Sequence, residues 1–241
     1  MNNSKFFPIF VTDKYTRDGM KNILDFLLEL KNHNDRVWFS EHKSEYDTAR
    51  IDFEQICSSL ILKIAAFDED IRLVDVRDCV FRIYRDIRFS PDKTPYKTHF
   101  GAFIASAGGR KSDRGGYYLH LDPAGCFFSI GVWSPTPVVL KAIRRSIYDN
   151  IDEFNEIRNN PDFRTLFNDS FYEEDKLKTV PQGFSKDFPD AELLKLKHFM
   201  VTYDIDDNML NSSEFVEKLA EIAEKSYPFL QFLNYSVDEV I

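Results

Sequence analysis

The sequence predicts an α+β fold: one domain over residues 1–241, with a central antiparallel β-meander flanked by N-terminal and C-terminal helices. Three observations predict it. No glycine occurs between Gly19 and Gly101 and no proline between Pro8 and Pro91, which favours long regular elements in the first third. Seven of the nine glycines then fall between positions 101 and 131, where apolar residues alternate in twos. After that stretch helical spacing returns, with no internal repeat, low-complexity tract or linker to divide the chain.

Taken in order, Met20, Ile23, Leu24, Leu27 and Leu28 recur at helical spacing and predict an amphipathic helix to about Leu30. The polar run Asn32-His33-Asn34-Asp35 breaks it, with Asn34 or Asp35 as the cap of the next helix. Trp38, Phe39, Tyr46, Ala49, Phe53, Ile56, Leu60 and Ile64 keep the period for nearly thirty residues. That is long for one globular helix, so a bend or split is expected.

From Ile71 the period changes. In VFRIYRDIRF the odd positions are Phe81, Ile83, Arg85, Ile87 and Phe89, and the even ones Val80, Arg82, Tyr84, Asp86 and Arg88, which predicts a half-buried strand. SPDKTP supplies a turn, HFGAFIAS resumes an extended run, and AGGRKSDRGG reads as a mobile surface loop. GYYLHLDPAGCFFSIGVW reads as a hairpin with its tip at Asp122-Pro123-Ala124-Gly125. Thr136-Pro137 marks a helix start, Ile151, Phe154 and Ile157 a second short helix, and HFMVTYDID another strand. Residues 161–189 are turn-rich and assign no element. Asn211 or Ser212 is the expected cap of a last helix, interrupted at Pro228.

Composition bounds the partners. A net charge of −9 argues against general affinity for nucleic acid or anionic membrane. No apolar run approaches the ~18–20 residues that span a bilayer, and MNNSKFFPIFVTDK lacks a secretory pattern. Cys57, Cys79 and Cys126 are odd in number and without metal-ligand spacing, so they read as free thiols of a cytoplasmic protein. With 23 Phe and 11 Tyr, the expected core is phenylalanine-rich.

Against this acidic background residues 77–114 carry nine basic groups and four acidic ones, leaving the rest with 22 and 36. Guanidinium forks suit phosphate or carboxylate. Arg82, Arg85 and Arg88, with Lys93, Tyr96 and Lys97 beyond them, therefore predict an anion-binding site on the polar face of the sheet, walled by Tyr118 and Trp133. The ligand class is a phosphorylated or carboxylated small molecule; a nucleic-acid backbone is possible but not favoured. The alternative is that these arginines pair with the chain's own carboxylates and only tie the fold together. Asp86 and His120 are candidates for proton transfer in an enzyme acting on that ligand, though His120 reads first as a satisfied structural histidine. A basic patch that docks an acidic protein is a third reading. No HExxH, P-loop, GxGxxG or GxSxG pattern occurs, so no metal is expected and no cofactor is named.

The stretch Arg82-x-x-Arg85-Asp86-x-Arg88-Phe89-x-x-Asp92-Lys93-x-x-Tyr96-Lys97, followed by His99-Phe100-Gly101, resembles the signature of a bacterial family, domain of unknown function 2461. So do Asn34-x-Arg36-x-Trp38-Phe39-x-x-His42-Lys43-x-x-Tyr46, GYYLHLDP and PQGFSKDFPD, and the resemblance spans nearly the whole chain. SIGVWSP departs from the family's more glycine-rich version. The resemblance implies conserved hypothetical proteins of about this length, with no activity, cofactor or partner to carry over.

Overall fold

A computed structural model of the chain describes residues 13–168 and 170–241. MNNSKFFPIFVT, which includes most of the stretch read as lacking a secretory pattern, lies outside the described residues.

The helical first third is as the spacing predicts. Helix α1 (Asp13–Asn32) buries Met20, Ile23, Phe26, Leu27 and Leu30. The long periodic stretch does split: Asp35 caps α2 (Arg36–Glu41), its carboxylate accepting from the Val37 and Trp38 amides at 2.8 and 3.0 Å. At His42 the chain breaks helical geometry, then enters α3 (Lys43–Ile64). A four-residue helix, α4 (Val76–Cys79), leads toward the sheet.

Four strands form one antiparallel sheet in chain order: β1 (Phe100–Ile104), β2 (Gly116–Leu121), β3 (Cys126–Val132) and β4 (Phe199–Ile205). Alternation sends Phe100, Ala102, Ile104, Tyr117, Leu119, Leu121, Phe128, Ile130, Phe199 and Val201 to one face, all buried. Between β3 and β4 lie α5 (Pro137–Asp149), started by Thr136-Pro137 as expected, α6 (Ile151–Arg158) and α7 (Pro161–Phe167). A short α8 (Asp207–Leu210) precedes α9 (Phe215–Asp238), which packs with α3 over the buried side of the sheet. The buried residues form one cluster rich in phenylalanine.

Four expectations need correction. The stretch Phe81–Phe89 is not a strand. Two isolated bridges stand in its place: Val80, just before it, pairs with Ala102 of β1, and Tyr84 with Tyr96 ahead of that strand. Beyond Arg85, Asp86 accepts from the Arg88 amide and Asp92 from the Thr94 amide, so local turns replace the ladder and Phe89 ends 94% exposed. The glycine-rich AGGRKSDRGG segment is not free either. On α9, Asn234 accepts from the Gly115 amide at 2.8 Å and donates to its carbonyl at 3.3 Å, while Arg114 pairs with Asp70 and Asp238. Pro228 does not interrupt α9. Its ring sits on the exposed side, where water can take the carbonyl of exposed Glu224, and buried Phe229, Leu230, Phe232 and Leu233 hold the helix together. Finally, Ser212 does not cap α9 directly; it accepts from the Glu214 amide one turn earlier, and Glu214 is the first flanking residue.

Candidate functional site

The other face of the sheet carries Gly101, Phe103, Tyr118, His120, Phe127, Ser129, Met200 and Thr202, and among the described residues no α-helix lines the hollow over it. A cavity of about 770 Å³ opens there. Its floor is set by strand register, which lays Tyr118 beside Phe103 and Ser129, His120 beside Gly101 and Phe127, and Ser129 beside Thr202. The Ser129 and Thr202 hydroxyls meet at 2.7 Å.

Gly101 explains how the floor is ordered. A β-carbon there would come within 2.7 Å of the Tyr118 hydroxyl. Its absence lets the Tyr118 ring lie along the sheet, so that the phenol meets His120 Nδ1 at 3.0 Å. The His120 ring stacks on Phe127 at 4.4 Å and 13°, and His99 packs on its other side at 4.4 Å. Burial, then the neighbouring His99, push His120 down to about 4, while Asp122 opposes them; burial likewise lowers His99 and raises Tyr118 to about 12. At neutral pH the floor is therefore two uncharged imidazoles and a phenol.

This has a consequence for stability. Because the folded-state value of His120 lies below the ordinary 6.5, the unfolded chain takes up the proton first as pH falls. The neutral ring's contribution is complete above about pH 6.5 and is lost towards pH 4. Allowing for the ring's partial exposure, roughly 1 kcal/mol is gone by pH 5. The drop in melting temperature from pH 7 to pH 5 should accordingly be about 2–4 °C smaller in His120→Gln than in the wild type; equal drops would show that His120 does not titrate in this way.

One end of the cavity is cationic. Lys97 is half-buried, with its ammonium 5.2 Å over the Phe81 ring and no carboxylate partner among the described residues; burial, then Arg82, lower its pKa. Arg110 reaches the rim from the glycine-rich segment, fixed there because its Nη1 donates to the Arg77 carbonyl at 2.7 Å. Arg114 also lines the cavity, though its charge is shared by Asp70 and Asp238. At the opposite end stands Trp133, 53% exposed. It stacks on His198 at 4.1 Å, and His198 is itself locked, Nδ1 accepting from the Ser134 amide at 2.9 Å and Nε2 facing Asp175 at 3.3 Å.

Of the residues singled out in the sequence, Lys97, Tyr118, His120 and Trp133 line this cavity. Arg82, Arg85, Arg88, Lys93, Tyr96 and Asp86 do not. Arg88 is held bidentately by Asp86, and the Arg88 hydrogen bonds keep the Asp86 carboxyl down at about 2, an ionised surface group. Arg85 is bound by Asp92 at 2.5 Å and by Thr94, and Lys93 donates to the Ile87 carbonyl at 2.9 Å. Arg82 is exposed. Tyr96 is buried, stacked on Phe39 at 4.0 Å. The local-pairing alternative thus describes Arg85 and Arg88. Sequence reading missed Phe81, His99, Phe103, Arg110, Phe127 and Thr202. Alternation in HFGAFIAS and HFMVTYDID carried a signal for Phe103 and Thr202; nothing local marked Arg110.

Comparison with known proteins adds a family and nothing finer. The family described as conserved hypothetical protein (DUF2461) matches residues 22–232. The chain belongs to it. Comparisons with curated proteins and with solved structures gave no match. In this DUF2461 protein the matched region contains every residue of the cavity. Among its described residues no helix is long and apolar enough to cross a membrane.

Proposed function

We propose that this DUF2461 protein binds a small anion with an apolar, planar body in the sheet cavity. The anionic group sits between Lys97 and Arg110, and the body lies over the aromatic floor toward Trp133. One observation carries the reading: among the described residues Lys97 is a half-buried ammonium without a carboxylate partner, facing an otherwise largely apolar hollow. Removing a cation from water is costly unless a counter-charge compensates it. Among the described residues Lys97 has an aromatic ring and no carboxylate, and the Arg110 Nε and second amino group have no protein partner. An anion would compensate both. The volume of about 770 Å³ and the walls of Phe81, Phe103, Phe127 and Trp133 suit a discrete molecule. A nucleic-acid backbone asks for a longer row of unpaired cations, and Arg85 and Arg88 are already paired.

Calorimetric titration with 1-naphthyl phosphate and with uncharged 1-naphthol, both in EDTA, tests this. The phosphate should bind at least ten-fold more tightly, a difference of about 1.4 kcal/mol, and Lys97→Met should erase that preference while leaving 1-naphthol binding in place. Arg82→Ala/Arg88→Ala should leave both affinities within two-fold. Equal affinity of the wild type for the two compounds, or an unchanged preference in Lys97→Met, overturns the assignment.

A further inference from the structure

At the edge of the same cavity the strand register assembles a cluster that no local spacing announces. His120 and Asp122 are two apart at the end of β2 and share a face, and His99 immediately precedes β1, one step beyond the Phe100–Leu121 pair. One nitrogen from each ring and one Asp122 oxygen lie within 4.8 Å of one another. All three residues are half-buried. We propose that His99, His120 and Asp122 bind one divalent first-row transition-metal ion, with its remaining coordination positions turned into the cavity.

The donor set fits that class. Two imidazoles and one carboxylate on one side of an ion leave open positions on the other, the pattern suited to zinc, cobalt or ferrous iron. The supports around the three donors are those a ligand set needs. The Tyr118 phenol holds His120 through Nδ1, which leaves Nε2 as the free nitrogen. A phenol both donates and accepts, so its oxygen can accept a hydrogen bond from the Nδ1 N–H once Nε2 gives its lone pair to an ion. Asp122 is oriented by the Ala124 amide at 2.8 Å and by the Thr98 hydroxyl at 3.4 Å. Neither of these partners is charged, so the carboxylate keeps its negative charge for an ion. Donors around such an ion stand about 3.0–3.4 Å apart at metal–ligand distances near 2.1 Å. From a present spacing within 4.8 Å, binding requires the two rings to turn toward the ion. His99 and His120 line the cavity wall whereas Asp122 does not, so the open positions face the cavity.

The metal site does not depend on the anion reading, and its test uses metal alone. Titration of the full chain with Co²⁺, read by visible absorption and repeated calorimetrically with Zn²⁺, should give one ion per chain at micromolar affinity or tighter. Saturating Zn²⁺ should raise the melting temperature of the wild type. His99→Gln and His120→Gln should each weaken binding at least 30-fold, with melting in EDTA preserved; His33→Gln and His42→Gln should bind as the wild type does. Should either cavity variant fail to fold, Asp122→Asn reads the same site and should lose affinity similarly. Absence of stoichiometric binding, or equal binding by the wild type and the cavity variants, would show that His99 and His120 are only part of an aromatic stack on Phe127.

Discussion

Gly131→Ala should cost about 3–5 kcal/mol and lower the melting temperature by roughly 10 °C or more. Gly131 lies in β3 with φ at +134°, where a side chain is strained whatever the space around it. There is also no space: a β-carbon would stand 2.0 Å from the Phe199 carbonyl oxygen of β4. The substitution must therefore either push β4 away, losing the Gly131–Met200 pairing, or rotate the end of β3. Both outcomes move Trp133 and Met200, which wall one end of the cavity. Thermal denaturation followed by circular dichroism measures the loss. A change of under 2 °C would mean that β3 and β4 are not held this closely.

Asn234→Ala is expected to cost about 2–4 kcal/mol, because it strands the buried amide and carbonyl of Gly115 together. Asn234→Asp should also destabilise, since a carboxylate can accept from the Gly115 amide but cannot donate to its carbonyl. The functional effect is more diagnostic than the stability loss. Gly115 closes the segment that carries Arg110 to the cavity rim, 119 residues away in sequence from its anchor. Loosening it should weaken 1-naphthyl phosphate several-fold while 1-naphthol, which has no charge for Arg110 to meet, changes less. Calorimetry of the two ligands on the folded variant reads the difference. Equal losses for both would place Arg110 outside the anion site.

The helices and the meander were legible because burial imposes a period that survives in one dimension. Ile23, Leu27 and Leu30 mark α1, and Thr136-Pro137 marks the start of α5, without reference to anything distant. That the long periodic stretch bends or splits was legible from its length, but its place at His42 was not. The failures had remote or competing causes. VFRIYRDIRF does alternate, but Asp86 and Asp92 satisfy amides two residues ahead, and Pro91 and Pro95 give no donors to a ladder. AGGRKSDRGG looks mobile because glycine is permissive, yet Gly109 and Gly116 are glycines for lack of room. Added β-carbons would approach the Asp78 and Ile104 carbonyls at 2.6 and 2.3 Å. The charge count pointed to residues 77–114, of which Lys97, Arg110 and Arg114 line the cavity and Arg82, Arg85, Arg88 and Lys93 do not. Arg88 meets Asp86 two residues away and Arg85 meets Asp92 seven away, so they cancel locally. Among the described residues no carboxylate pairs with Lys97 or Arg110, whose positions come from tertiary placement. The grouping of His99 with His120 and Asp122 comes from β1–β2 register, which a single chain read in order does not display.

The central claim is that the uncovered face of the sheet, and not the arginine-rich turn beside it, receives the anion. A crystal structure of the protein grown with 1-naphthyl phosphate tests this most directly. The phosphate is expected within hydrogen-bond distance of Lys97 Nζ and the Arg110 guanidinium, with the naphthyl ring over Phe127 and Phe103. A phosphate seated instead on Arg82 and Arg88, with the sheet face empty, would contradict it.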